Sequence, residues 1–211
     1  TAGALSFEDG LKLARERGRV MKEAGERTPG AMAALLGLDI ETVRAICEQA
    51  ITQTGGVLVV ANDNCPGQVV ISGDGATLDV GAELASQAGA RKVVKLAVSI
   101  AAHSPLMESA ADEFRQILAA TPFETPTLPV YGNLSAAPLT SVEAIREELG
   151  NQLTDGVRWT ESIQNMIATG AQQFVEFGSK DVLSGLLKRI DRSVRGVPLN
   201  SVTALQAYLA G

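Results

Sequence analysis

The stretch KVVKLAVSIAAHSPLM, residues 92–107, decides the fold class that the sequence predicts. Its first half, up to Val98, is apolar and indicates a buried strand. Ser104 and Pro105 then form a helix start, with serine as the N-cap and proline at the first helical position. The only histidine, His103, therefore lies where a strand ends and a helix begins. Ligands and chemistry gather at that position in open α/β sheets.

Upstream of this stretch, apolar periodicity predicts the order strand, helix, strand, strand, helix, strand. That order is typical of a ferredoxin-like unit. We predict such a subdomain over residues 30–98, inserted between residues 1–29 and 99–211 of a larger α/β domain. The predicted strands are 31–38, 57–61, 68–72 and 92–98, and the predicted helices are 39–52, capped by Asp39, and 76–88.

Downstream of His103, predicted strands alternate with predicted helices. This alternation implies a parallel sheet covered on both faces. A further helix at 7–23 is expected to pack on the same sheet. The predicted helices are 106–118, 141–150, 159–169, 180–191 and a closing helix, and the predicted strands are 128–133, 173–177 and 194–199.

The composition excludes several classes of function. The net charge of −6 over 211 residues argues against a general affinity for nucleic acid or anionic membranes. No apolar run approaches the ~20 residues of a membrane span. One histidine and two distant cysteines do not make a metal site. Cys47 falls in an apolar helical stripe and Cys65 in a predicted loop, so no disulfide framework is indicated and a cytoplasmic location is expected.

Arg17 shares a helical face with apolar residues such as Leu13 and Val20. An inward-facing guanidinium needs a partner, because an unpaired buried charge is costly. Three interpretations stay open at this point. The side chain extends to the surface, pairs with an internal carboxylate, or grips a substrate carboxylate through two hydrogen bonds. His103 is likewise open between a structural histidine and a catalytic base.

Seven short segments, in order from end to end, carry a resemblance to a known family. They are LSFED (5–9), RG followed by Met21 (17–21), GAMAA (30–34), NDNCPGQVVISG (62–73), HSPLM (103–107), WT (159–160) and LSGL (183–186). Together they resemble the malonyl-CoA:acyl-carrier-protein transacylase family. The resemblance implies a hydrolase-like parallel-sheet domain with a ferredoxin-like insert, in agreement with the predicted element order.

The resemblance also implies roles for individual residues. His103 matches the histidine that activates the nucleophile and later protonates the leaving thiol. Gln152 matches a residue whose backbone carbonyl orients that histidine, and Arg17 matches the arginine that holds the malonyl carboxylate. The implied reaction moves malonyl from coenzyme A to the phosphopantetheine thiol of acyl carrier protein, through an acyl-serine and without another cofactor, for fatty-acid elongation. The remaining implied site residues are Met21, Asn62 and Asn64.

Two departures from the family pattern stand out. No Gly-x-Ser-x-Gly occurs in the 211 residues, and neither does the early Gly-Gln-Gly of the family. The chain begins at Thr1 rather than methionine, so we expect a missing N-terminal segment with the nucleophile and expect this chain alone to be inactive. Ala102 stands where malonyl-selective relatives often place phenylalanine, which leaves room for other acyl groups. Cys65 is a remote substitute nucleophile.

Other functions remain open from the sequence. They are a polyketide-pathway acyltransferase, an acyl hydrolase, and a non-catalytic module that binds carrier proteins. Acyl carrier proteins are acidic, and the basic cluster Lys188, Arg189 and Arg192 is a candidate docking surface, or else a solvated helix end. Amides near Gly178 and Ser179 are candidates for binding the pantetheine phosphate, the alternative being a tight turn.

Overall fold

The computed structural model describes residues 2–210 as a mixed α/β structure. Its helices are α1 (Phe7–Arg27), α2 (Ile40–Thr54), α3 (Gly75–Gln87), α4 (Glu108–Ala120), α5 (Val142–Asn151), α6 (Trp159–Ala168), α7 (Val182–Ile190) and α8 (Val202–Ala210), with a 3-10 turn (Pro105–Met107) before α4. Its strands are β1 (Ala31–Leu36), β2 (Leu58–Cys65), β3 (Gln68–Gly73), β4 (Lys92–Lys95), β5 (Val157–Arg158), β6 (Gln173–Phe177) and β7 (Arg195–Leu199). None of the helices in residues 2–210 has the length and apolar character needed to cross a membrane.

The five-stranded sheet has the order β4-β1-β3-β2-β5. β1 lies antiparallel to β3 and β4, whereas β2 lies antiparallel to β3 and parallel to β5. The elements follow each other as β1-α2-β2-β3-α3-β4, the order expected from the sequence. Asp39 caps α2 as predicted, because its carboxylate accepts a hydrogen bond from the Thr42 amide. β2 is longer than predicted and ends in a two-residue turn, Pro66–Gly67.

The two faces of this sheet have different partners. α2 and α3 cover one face and enclose its main core, which includes Leu35, Val43, Ile71 and Leu78. The other face packs on the segment before His103. There Ala102 is buried with Met32 and Val70, and Met21 of α1 borders the same cluster. This second contact places the His103 segment between the sheet and α1.

α1 packs against α4 rather than against a parallel sheet. Leu13, Val20 and Ala24 of α1 share a buried cluster with Phe114 and Leu118 of α4. The expectation that this helix packs on the downstream parallel sheet was therefore wrong. Its apolar stripe matches the apolar stripe of α4, and two amphipathic helices bury those stripes against each other.

The downstream parallel pairing consists of β6 and β7 in the described residues 2–210, with Gln173 opposite Arg195. The predicted strand at 128–133 is absent there; Tyr131 instead forms a single bridge with Pro138. Pro129 lies within this segment and supplies no backbone N–H for a ladder, which disfavours a strand there.

The prediction of a buried strand over 92–98 was also wrong, both in the length of the strand and in its burial. β4 ends at Lys95 and lies at the edge of the sheet, and the side chains of Leu96 and Val98 are exposed. An edge strand has one neighbour, so its apolar residues are not enclosed as they are in a central strand.

Candidate active site

His103 occupies a sharp corner of the backbone. Its φ is +60°, a left-handed conformation that costs a non-glycine residue on the order of 1–3 kcal/mol. The corner is held on both sides. The His103 amide donates to the Leu153 carbonyl over 2.9 Å, and the Ser104 hydroxyl donates to the Ala101 carbonyl over 2.7 Å. Ser104 also caps the 3-10 turn, as predicted from the sequence.

The imidazole of His103 is oriented by two backbone carbonyls. Its Nδ1 lies 2.7 Å from the oxygen of Gln152 and 3.2 Å from that of Asp155. A carbonyl oxygen only accepts hydrogen bonds, so Nδ1 carries the proton and donates it. Nε2 is then unprotonated in the neutral ring and has the lone pair of a base.

The surroundings also keep this ring neutral. Burial lowers the pKa of His103 below its usual value, the hydrogen bond to Gln152 opposes that change, and the charge of Arg17 lowers the pKa further. A half-buried neutral imidazole with a fixed tautomer can take a proton from a nucleophile and return it to a leaving group.

Arg17 lies half-buried, and its guanidinium points at Gln152, the residue whose carbonyl orients His103. Its Nη2 donates to the side-chain Oε1 of Gln152 over 2.9 Å. Burial lowers the pKa of Arg17, yet a guanidinium stays charged in proteins. No carboxylate in residues 2–210 lies within ion-pair distance of it. The described residues thus leave a cation whose other donors can grip an anionic ligand.

The other implied site residues come from α1 and β2. Met21 follows Arg17 by one helical turn and borders the buried cluster of Ala102. Asn62 and Asn64 lie on β2 and are partly buried, next to register shifts that interrupt its pairing with β3. Hydrogen bonds join Arg17, Gln152 and His103, whereas the two asparagine side chains make none with the described residues.

Sequence reasoning missed Glu148 of α5, which fixes the loop beside the site. Its buried carboxylate accepts hydrogen bonds from the amides of Asn133 (2.5 Å), Leu134 (2.8 Å) and Ser135 (3.2 Å). A Cβ on Gly132 would lie 2.3 Å from that carboxylate, so the approach requires glycine. The available signal was the spacing: Glu148 follows the buried Ile145 by three residues and shares its face.

Both cysteines are buried and free. Cys47 belongs to the core as predicted, and burial raises its pKa to about 12. Cys65 does not lie in a loop; it is the last residue of β2 and is fully buried. Burial raises the pKa of its thiol as well, so Cys65 lacks the thiolate character of a nucleophile.

Both candidate anion-binding surfaces near α7 make contacts within the chain that the sequence did not predict. The amides of Leu183 and Ser184 donate to the carboxylate of Glu176, so the helix start already has an anionic partner. Arg189 donates to the side chain of Gln68 and to the Pro66 carbonyl. It therefore ties α7 to the β2–β3 turn, although its side chain is still exposed. Lys188 and Arg192 remain exposed.

The site combines a base that a backbone carbonyl orients with a half-buried arginine. This combination is suited to the transfer of acyl groups that carry a negative charge. In agreement with this, the family model "Acyl transferase domain" matches residues 1–205, and the chain belongs to that family as a member similar to malonyl-CoA:acyl-carrier-protein transacylases.

The similarity to malonyl-CoA:acyl-carrier-protein transacylases extends along nearly the whole chain. The chain is 39% identical to a malonyl CoA-acyl carrier protein transacylase of Bacillus subtilis, with 97% of this chain and 64% of that protein covered. It is 38% identical to the Escherichia coli K12 protein of the same name, with 99% and 67% covered.

Solved structures give the same result. The malonyl-CoA:acyl carrier protein transacylase of Xanthomonas oryzae superposes with a TM-score of 0.94 at 40% identity, covering 99% of this chain and 66% of that one. A malonyl-transacylase in complex with a type II PKS acyl-carrier protein superposes with a TM-score of 0.94 at 35% identity, covering 99% of this chain and 67% of that one. The chain thus spans about two thirds of the length of the relatives it matches.

Proposed function

We propose that this chain is the greater part of an enzyme that transfers malonyl from coenzyme A to the phosphopantetheine thiol of acyl carrier protein, for fatty-acid elongation. The observation that supports this most is the contact of His103 Nδ1 with the Gln152 carbonyl while Arg17 donates to the same residue. A base and a carboxylate-binding cation lie together, as transfer of an anionic acyl group requires.

The proposed reaction has two steps that use the same base. His103 Nε2 takes the proton of a serine hydroxyl supplied by the rest of the enzyme, and the serine oxygen bonds to the thioester carbonyl carbon. The carbon–sulfur bond breaks, and the imidazolium returns the proton to the coenzyme A thiolate. The carrier thiol then reverses these steps, while Arg17 holds the malonyl carboxylate throughout.

The proposal includes a division of the chain. Residues 30–98 form a ferredoxin-like subdomain within an α/β hydrolase-like domain made of residues 1–29 and 99–211. The strand order β4-β1-β3-β2 with α2 and α3 on one face supports it, and β5 from outside residues 30–98 extends the same sheet. Two free cysteines support a cytoplasmic location.

The test is malonyl transfer to purified holo acyl carrier protein by the complete enzyme. We expect transfer, and we expect His103→Ala to lower the acylation rate by about 10²–10⁴-fold, because the base is lost. Near-normal acylation by His103→Ala would contradict the proposal. Absence of transfer, with carrier binding retained, would favour the non-catalytic module, and hydrolysis without transfer would favour the hydrolase.

A second candidate is the same transfer in a polyketide pathway. It is supported by the structural neighbour whose complex contains a type II PKS acyl-carrier protein. Competition between a fatty-acid carrier and a polyketide carrier for labelled malonyl groups separates the two, since the preferred carrier has the higher kcat/KM.

A further inference from the structure

Gln152 contacts both functional side chains of the site with different atoms. Its backbone oxygen accepts from His103 Nδ1 over 2.7 Å, and its side-chain Oε1 accepts from Arg17 Nη2 over 2.9 Å. Arg17 comes from α1, His103 from the corner before α4, and Gln152 is the C-cap of α5. Three separate parts of the chain therefore meet at a single residue.

The side chain of Gln152 is not needed to orient the imidazole. Any residue at this position would provide the backbone carbonyl that His103 uses. The amide side chain adds an uncharged acceptor that reaches the guanidinium. An uncharged acceptor fixes Arg17 without cancelling its charge, whereas a carboxylate would compete with an anionic ligand for the same donors.

We propose that the side chain of Gln152 is a positioning residue that holds the Arg17 guanidinium at a fixed distance from the imidazole of His103. As far as the substrate is concerned, this inference rests on the proposed function. The spacing between the two groups decides whether a carboxylate on Arg17 leaves the thioester carbonyl within reach of the nucleophile that His103 serves. A misplacement of about 1 Å is enough to cost on the order of 100-fold in rate.

A double-mutant cycle on the 211-residue chain tests the link without any substrate. His103 is the only histidine, so its imidazole titration is read directly by NMR. Arg17 is the charged side chain that acts on the pKa of His103, and it lowers it. Arg17→Ala should therefore raise that pKa. In the Gln152→Ala background the same change should raise it by less than half as much, because the guanidinium is no longer held there.

The matched control is Asn151→Ala. Asn151 precedes Gln152, and its side chain also accepts from an arginine, Arg115 of α4, over 3.1 Å. This variant loosens the same helix end without touching Arg17, so the effect of Arg17→Ala on His103 should be unchanged in it. An equal or larger effect in the Gln152→Ala background would overturn the inference.

The complete enzyme tests the consequence for substrate choice. Gln152→Ala should lower kcat/KM for malonyl-CoA by about 10- to 100-fold, because the malonyl group is no longer held at the right distance from the nucleophile. The loss with acetyl-CoA should be smaller, because acetyl carries no carboxylate for Arg17 to hold. Gln152→Glu should reduce malonyl transfer more than Gln152→Ala, because its carboxylate neutralises Arg17. Equal losses for both acyl groups would contradict a positioning role.

The two experiments also separate this inference from the proposed function. If the wild-type enzyme shows no preference for malonyl over acetyl, the proposed function fails, and the NMR cycle still decides the role of Gln152. If the preference exists and persists in Gln152→Ala, the inference fails while the proposed function stands.

Discussion

At the scale of single residues, Arg17 is the proposed determinant of which acyl groups the site selects. Its charge is half-buried, and one of its donors is used by Gln152. Arg17→Ala in the complete enzyme should lose malonyl transfer by about 30- to 1000-fold, since a charge-assisted two-donor contact contributes about 2–4 kcal/mol. Acetyl transfer should change far less. Parallel kcat/KM measurements with both thioesters check this. Equal losses would show that Arg17 does not hold the malonyl carboxylate.

His103 gives the molecule a pH dependence with a defined sign. Its pKa is lowered in the folded state, so the unfolded chain takes up a proton first as the pH falls below about 6.5. Stability should therefore be independent of this group above pH 7 and should decrease from about pH 6.5 downward. Urea unfolding at several pH values between 7 and 5.5 measures this change in the free energy of unfolding.

His103→Gln is the control for this pH dependence. No other histidine titrates in this window. The variant should show a flatter stability profile than the wild type between pH 7 and 5.5. A profile in the variant that is as steep as in the wild type would assign the dependence to other groups.

At the scale of elements, α5 brings order to the loops around the site through Glu148. Three amides and a hydroxyl converge on its carboxylate. Glu148→Gln replaces one acceptor oxygen by a donor that faces those amides, so unfolding should become easier by about 1–3 kcal/mol. Glu147→Gln, an exposed neighbour, should change stability by less than about 0.5 kcal/mol. Similar effects for both in urea denaturation would refute the role of Glu148.

α7 remains the proposed docking element for the carrier, but Arg189 no longer belongs to the proposed docking residues. Arg189 holds the β2–β3 turn, so a useful test reverses only the exposed Lys188 and Arg192. The double change Lys188→Glu and Arg192→Glu should raise KM for carrier protein and weaken its salt dependence, because encounter with an acidic partner is steered electrostatically. KM for malonyl-CoA should stay the same.

The control for docking carries the same change in charge elsewhere. Arg44→Glu and Lys92→Glu alter exposed residues of α2 and β4. If this pair raises KM for carrier protein as much as the α7 pair does, net charge rather than a local surface explains the effect.

At the scale of the whole molecule, the site lies where separate layers meet. The helical layer of α1, α4 and α5 provides Arg17 and Gln152, and the sheet face supports Ala102 beside His103. The described residues hold a base and a cation, and the sequence contains no Gly-x-Ser-x-Gly. The 211-residue chain alone should therefore release no thiol from malonyl-CoA. Release that Cys65→Ala abolishes would assign the nucleophile to that cysteine.

Features that depend on neighbours along the chain could be predicted from the sequence. The caps at Asp39 and Ser104, the order β1-α2-β2-β3-α3-β4 and the inward side of Arg17 follow from local hydrogen bonding and apolar periodicity. The seven ordered motifs likewise identified the family.

Features that depend on contacts between distant parts of the chain became visible in the folded structure. The sequence could not show that α1 meets α4, that β4 is an edge strand, or that Glu148 binds the loop at 133–135. The same holds for the two hydrogen bonds of Gln152, whose partners lie 49 and 135 residues away. Periodicity tells which face of an element is buried, and the choice of partner depends on long-range packing that brings such residues together.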